Sequence, residues 1–235
     1  MEGEFDSILY MASVWVLPVL IAITLHEAAH GFVAWRLGDD TAYEAGRVTF
    51  NPLRHIDPVG TVVVPALLII SPLPFVFGWA KPVPVAFHRL RRPRRDMVLV
   101  AAAGPGINLG LAVVSALLVN LAVLAPQSLA IWLYWNLSHA VLINLVLAIF
   151  NMLPLPPLDG GRVAVGLLPQ GPAVMLARLE RFGLFIIIGL VFIVPMLGRQ
   201  IGLNLNVFYW LIWRPIEWLR PFFEGLAGNP LGLML

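Results

Sequence analysis

The sequence contains no cysteine among its 235 residues, which excludes disulfides, thiolate metal sites and cysteine nucleophiles. Charge is nearly as scarce. Only 12% of the residues are Asp, Glu, Lys or Arg, whereas 60% are hydrophobic and the mean hydropathy is +0.87. Soluble domains carry roughly a quarter charged residues, so this composition predicts a polytopic membrane protein whose apolar excess faces the lipid bilayer. The net charge of +2 is too small to argue for nucleic acid as a partner. Residues Met1 to Asp6 are acidic and lack the positive start of a secretory signal, so the first apolar segment is expected to be retained.

What the chain does have is long apolar runs. Segments at about 8–35, 97–125 and 131–153 each reach the roughly 20 residues that a helix needs to cross a bilayer. A further region, about 183–213, is interrupted by Pro195 and by Gly198-Arg199-Gln200; it suits two short crossings, or one crossing and an interfacial helix. The expected fold class is all-α, with about four to six membrane helices in a single domain over residues 1–235: a core at about 8–165, then C-terminal helices at about 183–220. Lys81, Arg89, Arg91, Arg92, Arg94 and Arg95 form the densest basic loop, which assigns that loop to the cytoplasmic side. Arg36 falls on the same side, so the intervening chain must cross an even number of times. Segment 59–80, with Pro65, Pro72 and Pro74, is too short for two crossings and reads as a re-entrant or half-depth hairpin. The alternative is that it spans and the side assigned to Arg36 is wrong. Upstream, Ala45-Gly46-Arg47-Val48-Thr49-Phe50 predicts a short β-strand that ends at Asn51-Pro52. Trp210, Trp213 and Trp218, with Arg214 and Arg220, predict an interface anchor.

One stretch of the first apolar run carries chemistry: His26-Glu27-Ala28-Ala29-His30. A helix turns about 100° per residue, so His26 and His30 sit one turn apart and can bind one zinc ion, with Glu27 in reach of a water beside it. Asp159 is the third-ligand candidate, because the cytoplasmic end of one span can meet the cytoplasmic half of another. Pro154, Pro156 and Pro157 hold the chain before it out of regular helix, and Gly160-Gly161 permit close backbone approach. Two histidines and a carboxylate leave a fourth position for water, the mark of a catalytic rather than a structural zinc site. Asn136 and Asn144 read as interhelical hydrogen-bond partners, and Ala102, Gly106 and Gly110 as a row of small residues at a helix contact. His55 is expected to stabilise a turn, His88 to be solvated and His139 to pack.

Three motifs in one order carry a resemblance. His26-Glu27-Ala28-Ala29-His30, Ala103-Gly104-Pro105-Gly106-Ile107-Asn108 and Asn151…Leu158-Asp159-Gly160 resemble the signature elements of the site-2 protease family of intramembrane zinc metallopeptidases, peptidase family M50. The resemblance covers about residues 20–165. It implies that His26, His30 and Asp159 bind one Zn2+ per chain, that Glu27 is the general base, and that Asn151 is the candidate oxyanion donor. It also implies hydrolysis of peptide bonds in transmembrane protein substrates near the cytoplasmic face of a prokaryotic cytoplasmic membrane. Many relatives carry an inserted PDZ-like domain or a CBS pair, and no stretch here is long or polar enough for either. Asn108 is open between helix packing and substrate positioning. A helical substrate must unwind before attack, so Gly46 and Val48 on the expected strand, or the 59–80 hairpin, are candidates to pair with an extended substrate. The alternative reading is a catalytically inactive relative acting as a membrane-protein binder or chaperone.

Overall fold

The computed structural model describes residues 2–70 and 78–228, with side chains described from Leu9 onward except at position 69. Its first element, α1 (Glu2–Arg36), contains the whole first apolar run. A left-handed Gly38 (φ 109°) stops it: Gly38 N–H donates to Trp35 O, and Asp39 N–H to Ala34 O, the paired bonds of a glycine-terminated helix. A short helix, α2 (Thr41–Glu44), follows, and then a π-turn Pro58–Val63 running into α3 (Val64–Ile70). The long helices α4 (Pro93–Val119) and α5 (Gln127–Asn151) form an antiparallel hairpin against which α1 packs. Pro93 opens α4, and the Asp96 carboxylate accepts the Arg92 N–H at 2.8 Å. Beyond the proline-rich turn come α6 (Asp159–Leu167), α7 (Gln170–Ala177), α8 (Gly183–Ile188), α9 (Val194–Gln200) and α10 (Arg214–Ala227). Four stretches are long and apolar enough to cross a membrane: Leu9–Arg36, Pro93–Leu124, Gln127–Asn151 and Gln170–Gln200.

Among the described residues the fold is all-helical, and the strand expected at 45–50 is absent. Gly46 (φ 64°) instead terminates α2: its N–H donates to Tyr43 O and that of Arg47 to Ala42 O. The Arg47 side chain then turns inward to Lys81 O at 2.6 Å. The turn signal at the start of the expected strand belongs instead to a helix end, which has already claimed the backbone. The fourth span begins at Gln170 rather than near 183, since Arg178, Glu180 and Arg181 mask its first turns in the sequence.

Segment 59–80 leaves and returns at one place. Trp79 N–H donates to Gly60 O at 3.0 Å and Thr61 Oγ1 to Trp79 O at 2.8 Å. Gly60 lies under the Trp79 ring, where a Cβ would collide with the indole. The turn expected at Pro72 and Pro74 falls on residues 71–77, which lie outside the described residues.

Candidate metal centre

Helix α4 organises the centre, because α1 packs on one side of it and α6 on another. Arg94 helps to fix α6, its guanidinium donating to the carbonyls of Gly166 and Leu168, a cationic cap on a helix C-terminus. Gly160 and Gly161 bring α6 against the preceding turn, where added Cβ atoms would strike the backbones of Met152 and Pro156. Asp159, in the first turn of α6, thereby meets the histidines of α1. Gly104 of α4 faces them from the remaining side, and a Cβ there would overlap His30 Nε2 and His26 Cε1.

The three side chains are buried and converge on one point. His26 Nε2 and His30 Nε2 lie 3.0 Å apart, and Asp159 Oδ2 is 3.2 Å from the first and 3.3 Å from the second. A tetrahedral zinc with bonds of 2.0–2.1 Å separates its ligand atoms by about 3.3–3.4 Å, so the triangle has the dimensions of one face of such a site. The tautomers agree. Asn108 Nδ2 donates to Asn144 Oδ1 (2.7 Å) and Ala22 O (3.3 Å), which orients its Oδ1 as acceptor for the His26 Nδ1–H at 2.5 Å. His30 Nδ1–H donates to Val100 O at 2.7 Å. Both Nε2 atoms therefore present lone pairs. Two lone pairs face each other, and Asp159 Oδ2 is buried without a hydrogen-bond partner; a cation shared by all three relieves both conflicts.

Burial would push the Asp159 carboxyl up, but with no metal bound a proton on either Nε2 would turn toward it, and that hydrogen bond and attraction win and hold it below the usual carboxylate range. A carboxylate held low is stabilising above its ordinary range and loses that contribution only in stronger acid. Protons compete with a metal for these ligand atoms, so metal is expected to be released in acid. Metal content of protein dialysed over a series of falling pH values measures it.

A cavity of about 430 Å³ opens at the centre. Its walls include His26, Glu27, His30 and Asp159, Asn151 at the end of α5, and Trp79, Ala80, Pro82, Val83 and Val85 of the chain leading to α4. Glu27 is half-buried, and its Oε2 accepts the Val83 N–H at 2.8 Å. Asn151 lines the cavity while one of its amide hydrogens goes to Leu147 O at 2.9 Å.

Asn108 and the pair Gly46 and Val48 stand elsewhere. Asn108 is fully enclosed, outside the cavity wall, and bonded to His26. Gly46 is exposed at the end of α2, and Val48 packs toward Gly31, neither on the cavity wall. Asn144 makes the interhelical bond expected of it, to Asn108, while the Asn136 amide donates within its own helix, to Trp132 O. His55 bonds the Thr49 carbonyl in a turn, and His139 packs on Trp15 at 4.0 Å. Val83 and Val100, which act through backbone atoms, were missed in the sequence, and Gly104 stood there only within its motif, without the part played by the side chain it lacks. Replacing Asn108 with Leu is expected to lower zinc affinity by about 10–100-fold, read by competition with a chelating dye.

The family model for Peptidase family M50 matches residues 120–194, which include Asp159. The chain is 38% identical over 187 residues to “Putative zinc metalloprotease YwhC” of Bacillus subtilis, covering 77% of this chain and 80% of that protein. It is 29% identical over 214 residues to “Putative zinc metalloprotease Rip2” of Mycobacterium tuberculosis, covering 90% and 78%. No solved structure matches. With relatives so named over most of its length and a zinc-sized ligand triangle among its apolar helices, the chain belongs to peptidase family M50, the site-2 protease family of zinc metalloproteases.

Proposed function

We propose that this chain is an intramembrane zinc endopeptidase that cleaves membrane-spanning proteins near the cytoplasmic side of a bacterial membrane. His26, His30 and Asp159 hold the zinc, and residues 1–235 act as one membrane domain. The observation that carries this reading is the convergence of His26 Nε2, His30 Nε2 and Asp159 Oδ2 at 3.0–3.3 Å beside the Glu27 carboxylate. Bound there, zinc would supply a Lewis acid for the scissile carbonyl and would acidify a water. Glu27 takes a proton from the attacking water and passes it to the leaving amine. The Val83 N–H holds Oε2 of Glu27 and leaves Oε1 for the proton. Asn151, with a second amide hydrogen to give, serves the developing oxyanion.

Substrate pairing belongs to the extended segment 79–85 in place of the missing strand. Trp79 and Lys81 bond the connector through their backbones, and Val83 bonds Glu27. Successive residues of an extended chain face opposite ways, so the carbonyls of Ala80, Pro82 and Pro84 form the other edge. An extended substrate pairs there through its own N–H groups.

The test compares purified wild type with Asp159→Ala for zinc content and for cleavage of a transmembrane peptide in detergent. Asp159→Ala is expected to lose zinc and hydrolysis together. Zinc-free wild type that still cleaves, or a zinc-loaded wild type that cleaves no transmembrane peptide, overturns the reading.

A further inference from the structure

Arg47 is a cation with little around it to answer its charge. It stands just past the end of α2, and only 6% of it is exposed. Its Nη2 donates to Lys81 O at 2.6 Å, while its Nε is buried with no hydrogen-bond partner. Burying a charge short of partners is costly unless a counter-charge stands near. Burial pushes the Arg47 guanidinium below its ordinary range, and the charge that opposes this is the carboxylate of Glu27. A guanidinium stays ionised all the same. Arg47 is not on the cavity wall, so any part it plays there passes through its neighbours.

Those neighbours close on one face of α1. Glu27 and Gly31 lie about one turn apart on that face. A Cβ at Gly31 would sit 3.1 Å from Val48 Cγ2 and 3.2 Å from Val83 Cγ1. The residue after Arg47 and the residue that bonds Glu27 therefore meet at the same place. Lys81 is anchored on both sides, its N–H donating to His55 O at 2.9 Å and its carbonyl accepting from Arg47. The Lys81 carbonyl shares a peptide plane with the nitrogen of Pro82, and the proline ring locks φ of Pro82 at about −65°. Only ψ of Pro82 then separates that plane from the one that carries the Val83 N–H. Val83 N–H donates to Glu27 Oε2 at 2.8 Å.

We propose that Arg47 is a positioning residue for Glu27. Its bond to Lys81 O fixes the Lys81–Pro82 plane, the locked proline carries that plane into the aim of the Val83 N–H, and the N–H holds the carboxylate. The positive charge draws the same carboxylate from behind the segment. The role in hydrolysis rests on the peptidase reading of Glu27, whereas the hold on Val83 does not.

Arg47→Met keeps most of the side chain's length and removes its charge and its donors. In full-length, zinc-loaded protein it is expected to lower kcat for a transmembrane peptide by about 10–100-fold, with zinc content at the wild-type level. Arg47→Lys, which keeps the charge and a donor, is expected to fall between the two. In the Glu27→Gln background, Arg47→Met is expected to change the residual rate by less than about two-fold, because the group it positions is gone. A general loosening of the fold would instead lower both backgrounds alike. Losses that multiply in the double variant, a wild-type kcat in Arg47→Met, or zinc lost from both Arg47 variants overturns the proposal. Amide hydrogen exchange reads the hold apart from catalysis: the Val83 N–H is expected to exchange about ten-fold faster in Arg47→Met, and unchanged exchange overturns the proposal as well. A zinc-loaded wild type that cleaves no peptide removes the peptidase reading, and exchange at Val83 then still decides whether Arg47 holds it.

Discussion

Glu27→Gln is expected to lower peptide hydrolysis by about 10²–10⁴-fold, the usual worth of a positioned general base, while zinc content stays at the wild-type level. The amide is nearly isosteric with the carboxylate, and its oxygen can still accept the Val83 N–H that Glu27 Oε2 accepts at 2.8 Å. The three converging ligand atoms belong to His26, His30 and Asp159, so the substitution leaves the metal triangle intact. What it removes is the ability to take a proton. Initial cleavage rates and zinc per chain, measured on one preparation, separate the two effects. Unchanged hydrolysis would remove Glu27 from the chemistry, and lost zinc would make it part of the metal site.

Gly104→Ala should act in the opposite way, by emptying the centre. The new methyl would occupy the space of His30 Nε2 and the edge of the His26 ring. Neither ring can retreat easily, since Asn108 and the Val100 carbonyl hold their far nitrogens. Overpacking of this kind costs about 1–3 kcal/mol, which corresponds to roughly 10–100-fold weaker zinc binding if the strain falls on the ligands. Gly106→Ala, two residues along the same helix, is the control, because nothing lies within 4 Å of a Cβ there. Zinc titration of the two variants decides the matter; equal affinities would mean that α4 yields rather than the histidines.

The converging trio and the Glu27 beside it were legible because their chemistry survives in residue type and spacing. His26 and His30 are one turn apart in any helix, and Asp159 sits between proline and glycine signals that no lipid-facing helix needs. The three long apolar helices were legible by length. What orients the site was not. Val83 acts through a backbone N–H and Gly104 through an absent side chain, while Val100 offers a carbonyl that every residue owns. The expected strand failed for a related reason: Gly46 reads equally as a strand breaker and a helix terminator, and only the bonds from Gly46 and Arg47 back to α2 distinguish the two. The helix ending at Ala227 packs on α4 and α5 although Arg214, Glu217, Arg220 and Glu224 interrupt its apolar pattern, and the pairing of those charges becomes visible only in three dimensions.

The metal triangle draws two corners from α1 and the third from the start of α6, with the α4–α5 hairpin lying between them in the chain. During synthesis this divides the site in time. A ribosome that has delivered only α1 to the membrane has delivered two imidazoles and no carboxylate to complete them. Asp159 reaches the histidines only after the α4–α5 hairpin has inserted and α6 has docked on α4. A stalled or truncated nascent chain thus holds an incomplete trio, and the third corner arrives together with correct insertion.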